Sequence, residues 1–243
     1  AEKLSGSMDP AVRISFLEKA YGYRSFESMY AMALARTTLD EARILASTST
    51  PNGDDVAKKL ASANDFAKQA TALEPTDPTT WTLLAAIYLN TRSLTPEAND
   101  WAIDSLRKAI DLEPTNATLY TQLGNAYLFA KKMEDAEQAY RQAIALKPDA
   151  MDAYIGMSVL FENQEKITDA IAVFANIGPQ LNDHPDSLYQ VGRLFYNRNA
   201  KDDVDRAEKL WLRAVEVQPD FGNVLYSLAL LYDKKGNRAE AIK

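Results

Sequence analysis

Few residues of this chain have the types and spacing that chemistry needs. Its single histidine, His184, stands in the run Asn182-Asp183-His184-Pro185. A histidine ring can bind a metal or carry a proton near neutral pH. Either task needs a partner, and the chain has no second histidine and no cysteine. His184 therefore reads as part of a loop that leads into a helix. The acidic runs Lys201-Asp202-Asp203 and Glu134-Asp135-Ala136-Glu137 hold neighbouring carboxylates. Acid–base work by such a pair needs a desolvated cleft around it, and nothing in these runs builds one. They read instead as solvated helix starts, where negative charge favours the helix dipole. The glycines are scattered, so no phosphate-cradling loop is expected. Asn116-Ala117-Thr118 has the spacing of a glycosylation acceptor, but Asn116 is better read as a helix cap. No catalytic residue, cofactor site or metal site is expected, and the chain reads as a non-enzyme.

Composition narrows the classes further. A formal net charge of −7 over 243 residues argues against nucleic-acid binding by phosphate neutralisation. The lack of cysteine removes disulfides, thiolate catalysis and zinc–sulfur sites, and leaves the compartment open. No apolar run approaches the roughly 18 residues of a membrane span, and no signal peptide is visible. The chain stops at Ala241-Ile242-Lys243, where another helix would be starting. A fragment is therefore expected, with Ala1 to Ser7 either added tag residues or the frayed end of an earlier helix. Localisation stays unassigned.

The elements that organise these residues recur at a fixed period. Tyr120, Leu123, Gly124 and Tyr127 are followed by Ala136, Tyr140, Ala143 and Pro148. Trp81, Leu84, Ala85, Tyr88, Ala102, Leu106, Ala109 and Pro114 precede them in the same order. Tyr154, Met157, Ser158, Phe161, Ala170 and Phe174 come next, then Leu188, Val191, Gly192, Phe195, Ala207, Trp211, Ala214 and Pro219. The leading residues lie 39, 34 and 34 apart. Such self-similarity marks an array of small units, none of which buries its apolar face alone.

Each unit reads as two helices. Tyr120, Leu123, Ala126 and Tyr127 form one stripe at helical spacing, and Ala136, Tyr140, Ala143 and Ile144 another, with a polar break at Lys131 to Glu134. Pro148 ends the second helix, because its ring and missing N–H do not fit a helix interior. Thr115, Asn116 and Asp149 are candidate caps, and Asp77-Pro78 pairs a cap with a proline preset for the first turn. The recurring alanines allow close helix approach, and Trp81, Tyr120, Tyr154 and Trp211 are expected to fill the wider gaps as core.

These residues resemble the tetratricopeptide repeat family, whose pattern is aromatic-x-x-Leu-Gly-x-x-Tyr, then Ala-x-x-x-Phe, then Pro. Tyr120 to Pro148 follows it nearly position by position, and the resemblance runs from Phe66 onward. It implies an all-α solenoid, a right-handed superhelix of antiparallel helix pairs in one domain. The expected division is a partial repeat over 1–25, an irregular long repeat over 26–77, and repeats over 78–116, 117–150, 151–184 and 185–221. A truncated repeat over 222–243 closes the array. In the first full unit, helices are expected at Phe26 to Ala46 and Val56 to Leu73, with Ser47 to Asp55 between them and a turn at Pro51-Asn52-Gly53. Ala11 to Tyr23 reads as the helix before. The repeat at 78–116 carries extra residues around Arg92 to Asp100, and that at 185–221 around Asn199 to Asp205. The repeat at 151–184 has Asn182 where the closing proline belongs and Ile177 at a small-residue position, so looser packing and a bend near Gly178-Pro179 are expected. No polar capping helix is visible at either end, which predicts exposed apolar faces.

In that family the first helix of each unit lines a concave groove. The resemblance places Thr82, Ala86, Leu89 and Asn90 there, then Thr121, Asn125 and Leu128, then Ile155, Val159, Glu162 and Asn163. Tyr189, Arg193, Tyr196 and Asn197 follow, then Tyr226, Leu230 and Asp233. Tyrosine and arginine are common anchors of binding surfaces, and asparagine can hold an extended backbone through donor and acceptor together. The plainer reading is that Tyr189 and Tyr226 partly cover the helix of the next unit. The lysines of the family's carboxylate clamp are missing from the matching positions. Three functions remain open. The first is a non-catalytic scaffold that binds a protein or peptide in the groove. The second is the soluble tail of a larger bacterial membrane protein of polysaccharide assembly, since the irregular first unit and the run Pro96 to Ile103 are similar to solenoid tails of O-antigen-ligase-like proteins. The third is a self-assembly element that forms homo-oligomers through its terminal repeats.

Overall fold

The computed structural model describes residues 9–23, 27–48, 51–95, 97–177, 181 and 183–237. The chain packs as two compact units, Ala1–Lys132 and Met133–Lys243, and the described residues of both are built from helices joined by short connections.

The first unit holds α1 (Pro10–Tyr23), α2 (Ser28–Ala46), α3 (Gly53–Leu73), α4 (Pro78–Thr91), α5 (Ala98–Leu112) and α6 (Ala117–Phe129). Short polar side chains start several of them. Asp77 accepts from the Thr79 N–H at 2.8 Å ahead of Pro78, and Asn116 accepts from the Thr118 N–H at 3.1 Å. Each satisfies a backbone donor that the helix itself leaves unpaired. Asn52 does the same for Asp54, so the expected turn at Pro51-Asn52-Gly53 is in fact the capped start of α3, three residues earlier than the sequence suggested. Asp149 forms no such side-chain cap before the later helix that begins at Met151, and Thr115 is not a cap position. The expected helix start at Phe26 lies outside the described residues.

Alanine decides how closely these helices approach. Ala31, Ala35 and Ala42 on α2 and Ala63, Ala67 and Ala70 on α3 are buried, with Leu34, Leu39 and Leu60 filling the space between. Across α4 and α5, Leu83, Leu84, Ile87 and Tyr88 meet Ala98, Ala102, Leu106 and Ala109. Small residues at every turn let the backbones pack closely, and the large aliphatic side chains bury the apolar area that holds the pair together.

The second unit holds α7 (Met133–Leu146), α8 (Met151–Asn163), α9 (Ile167–Ala172) with a 3-10 helix over Val173–Asn176, α10 (Pro185–Arg198), α11 (Asp203–Val217) and α12 (Gly222–Lys234). Two buried rings organise it. The Tyr140 ring of α7 presses against Gly156 of α8, and the Trp211 indole of α11 against Gly192 of α10, where no side chain larger than hydrogen fits. The second helix of the expected 151–184 repeat is short and tightens into 3-10 geometry just before Ile177, which is buried. A large side chain at a position that is small in the other units is accommodated by this change of winding. The expected bend at Gly178-Pro179 and the position of Asn182 lie outside the described residues.

The leading aromatics do more than fill gaps. Trp81 Nε1 donates to the Pro75 carbonyl at 2.8 Å, Tyr120 Oη to the Pro114 carbonyl at 3.1 Å, and Tyr154 Oη to the Pro148 carbonyl at 3.1 Å. Trp81 and Tyr120 are only half-buried, so their expected role as core is corrected. Each ring lies over the loop before its helix and ties its polar end to the proline six residues upstream. The turns inside the helical pairs follow another rule. Lys131 and Glu165, one repeat length apart, are left-handed at φ 59° and 62°. The Lys132 N–H reaches the Tyr127 carbonyl and the Lys166 N–H the Phe161 carbonyl, both at 2.9 Å. This is the Schellman closure of a helix, and α12 ends the same way with Gly236 at φ 74°.

Candidate functional site

In the first unit, the expected binding residues of α4 and α6 are largely occupied by their own backbone. The Thr82 hydroxyl donates to the Pro78 carbonyl at 2.8 Å. Thr121 is buried and its hydroxyl bonds the Ala117 carbonyl at 3.2 Å, so it offers no surface to a ligand, contrary to expectation. Asn125 is half-buried and already engaged within the protein. Asn90 donates to the Ala86 carbonyl at 2.6 Å and accepts from Arg43 Nε at 3.2 Å, so it orients an arginine of α2 as well as facing outward itself.

That arginine belongs to a feature the sequence reading missed. A cleft of about 280 Å³ lies between α2 and α4, lined by Arg36, Leu39, Asp40, Arg43, Thr79, Thr82, Leu83 and Ala86. Leu39 and Leu83 form a buried apolar floor. Arg43 stands 3.6 Å from Asp40 on the rim. Arg36, Asp40 and Arg43 follow one another at steps of four and three residues, which puts them on one face of α2. The signal was present, but the repeat pattern that locates groove positions elsewhere is absent from this helix.

In the second unit the expected residues lie on α8, α10 and α12. Arg193 of α10 meets Glu162 of α8 through two parallel contacts, Nη1 to Oε1 at 2.8 Å and Nη2 to Oε2 at 2.5 Å. Its Nη2 also reaches Gln190 Oε1 at 3.1 Å. Gln190 Nε2 donates to Ser158 Oγ at 3.1 Å, and Ser158 donates to the Ile155 carbonyl at 2.7 Å. Both Gln190 and Ser158 are buried. A buried polar group is tolerated only when paired, and this chain of bonds pairs each in turn. Arg193 is therefore a tie between helices rather than a free anchor.

The tyrosines divide by role. The Tyr189 ring packs on Phe221 at 5.6 Å between centroids, which is the covering role considered above. Tyr196 packs on Trp211 at 5.6 Å, and Lys234 Nζ sits 4.7 Å above the Tyr196 ring. Tyr226 is 68% exposed, beside Leu225 and Leu230, which are exposed too. Ile155 and Val159 are half-buried, and Ile155 rests on the core of the unit. Asn163 and Asn197 are exposed, with Asn197 Nδ2 lying 3.5 Å from Glu162 Oε1.

His184 caps α10. Its Nδ1 accepts from the Ser187 N–H at 3.3 Å, with the Ser187 hydroxyl at 3.1 Å. The acidic start of α11 is structural as well. Asp203 is fully buried, held by Arg198 through two contacts of 2.8 Å and by the Ala200 N–H at 2.9 Å. The Arg198 hydrogen bonds hold its carboxyl below the usual carboxylate range, against the desolvation that burial imposes. Among the described residues, no group of three or more His, Asp or Glu gathers to hold a metal ion, and no helix is long and apolar enough to cross a membrane.

Comparison with known proteins places this geometry. Residues 117–150 and 186–243 each match a family model described as tetratricopeptide repeat. No curated protein matches the chain. Among solved structures, the Cut9–Hcn1 hetero-tetramer of the APC/C superposes with a TM-score of 0.63 at 14% identity, over 96% of this chain and 42% of that one. PilF of Pseudomonas aeruginosa gives 0.58 at 15% identity, over 86% and 89%. A thermophilic tetratricopeptide protein of Thermus thermophilus gives 0.57 at 15% identity, over 81% and 98%. At these identities the likeness speaks for the fold. The fold is an all-α solenoid, its residues 117–150 and 186–243 match as tetratricopeptide repeats, and repeats of this type are in general protein-interaction scaffolds.

Proposed function

We propose that the chain is a non-catalytic scaffold that binds an extended protein segment along the first helices of its repeats. The observation that carries this reading is the exposure of Asn163, Asn197 and Tyr226 on α8, α10 and α12. Asparagine amides recognise main chain without regard to side chains, and an exposed tyrosine supplies apolar area with little loss of rotamer freedom. Arg193, Tyr189 and Tyr196 support the surface from below. The repeat boundaries at 78–116, 117–150, 151–184 and 185–221 belong to the same proposal. The test is to pan a random peptide display library against the protein and measure the selected peptides on an Asn163→Ala/Asn197→Ala/Tyr226→Ala variant. A loss of tenfold or more with unchanged helicity is expected. Unchanged affinity removes the proposed surface.

A second reading has its own observation. Leu225, Tyr226 and Leu230 expose an apolar strip on α12, and apolar patches of this kind promote association. Light scattering over a dilution series separates the readings. A monomer at every concentration removes self-assembly, and a mass that falls on dilution and is lost in Leu225→Glu/Leu230→Glu supports it.

A further inference from the structure

The cleft between α2 and α4 has a chemistry of its own. Its floor is apolar, formed by Leu39, Leu83 and Ala86, and its rim carries two guanidinium groups. Arg43 is restrained, with its Nε on the Asn90 amide oxygen at 3.2 Å and Asp40 at 3.6 Å. Asn90 is itself tied to the Ala86 carbonyl, so Arg43 is held in place from α4. Arg36 is exposed and has no ion-pair or hydrogen-bond partner among the described residues. The rim therefore carries two cations and one anion, with the free charge on Arg36.

We propose that this cleft is a subsite for an acidic side chain, aspartate or glutamate, within an extended protein segment. This deepens the reading that first-helix faces bind chains, and rests on it. The methylenes of a glutamate cover the Leu39 and Leu83 floor, and its carboxylate meets the planar donors of Arg36, which bind such a group at two points. Asn90 is a positioning residue here, because it fixes Arg43 and so keeps Asp40 from pairing elsewhere on the rim. The local sign matters because the whole chain carries −7. At long range an acidic segment is repelled, so selectivity for one must come from contacts within about a Debye length, near 10 Å at 0.1 M salt.

The test uses fluorescein-labelled hexaglutamate and hexaglutamine, both acetylated and amidated so that no terminal charge contributes. Fluorescence anisotropy at low salt should show hexaglutamate binding at least tenfold tighter. That preference should fall about tenfold in Arg36→Gln and survive in Arg141→Gln, which removes an equal charge from a well-exposed arginine of α7. Arg36 is exposed, so neither substitution threatens the fold. Equal binding of the two peptides overturns the proposal, as does an equal effect of the two variants. Preference for a free terminal carboxylate over the amidated hexaglutamate also overturns it. If library-selected peptides ignore the Asn163/Asn197/Tyr226 variant, the binding-surface reading itself falls. If they depend on it while Arg36→Gln leaves the glutamate preference intact, the acidic subsite alone falls.

Discussion

Arg193 and Glu162, 31 positions apart in sequence, form a two-point ion pair that joins α10 to α8. The guanidinium fork matches the carboxylate, and both groups are less than one-third exposed. Such a pair is stronger than a freely exposed one, because solvent screens it less. A double-mutant cycle with Arg193→Ala and Glu162→Ala should return a coupling energy of about 1 kcal/mol. Urea denaturation measures it. A coupling of zero would mean that the two side chains are independent, and that Arg193 is available to a ligand after all.

The two glycines under rings give a sharper prediction. A Cβ on Gly156 would lie 2.5 Å from the Tyr140 ring, and one on Gly192 would overlap the Trp211 indole. Both rings are buried and cannot move aside without opening the core. Gly156→Ala and Gly192→Ala should each destabilise by about 1–3 kcal/mol, although alanine is the better helix former. Gly222→Ala meets nothing within 4 Å and should be neutral or slightly stabilising in the same melts.

The left-handed turns point the other way. Lys131 and Glu165 adopt φ values that glycine accepts without strain, and Gly236 already fills the equivalent position after α12. Lys131→Gly and Glu165→Gly should each raise stability by about 0.5–1 kcal/mol, since the relief of left-handed strain exceeds the added freedom of the unfolded chain. Thermal unfolding with both substitutions should show a higher midpoint. A lower one would mean that the lysine and glutamate side chains contribute more than their backbone costs.

Asp203 ties stability to pH. Its carboxyl is held below the usual range mainly by hydrogen bonds from Arg198. A depressed value in the folded state means that the pair stabilises the fold above the ordinary carboxylate range, and that this contribution is lost as pH falls through the folded value. Asp203→Asn should cost about 1–3 kcal/mol at pH 7. The gap between variant and parent should narrow as the pH drops below about 4. A gap that stays constant with pH would exclude the ion pair as its source.

Much of the fold was legible because each repeat states the same steric problem. The alanines at 102, 109, 136, 143, 207 and 214 are all fully buried, as their spacing required, and Asp77 and Asn116 cap helices as their residue types implied. The binding residues were legible only as positions. Periodicity tells which side chains lie on a first helix but not whether a neighbour already satisfies them. Thr121 is taken by its own backbone, and Arg193 by a glutamate of the preceding first helix. The second case could have been anticipated, because opposite charges at adjoining positions of successive units are within reach. The α2 rim was hidden for the opposite reason. That helix carries Ala35 where the others carry the aromatic or leucine from which such positions are counted.

The pinned prolines imply a division of labour among the connections. Where an indole or phenol is tied to the carbonyl of residues 75, 114 or 148, loop length is set by a six-residue span and tolerates no insertion. Among the described residues, the stretch 92–95 carries no such tether and lies where the chain has already grown longer, whereas 199–202 is held to buried Asp203 through the Ala200 N–H. Anyone wishing to splice a foreign epitope or a reporter into this protein should cut within 92–95, and leave the tethered joints alone.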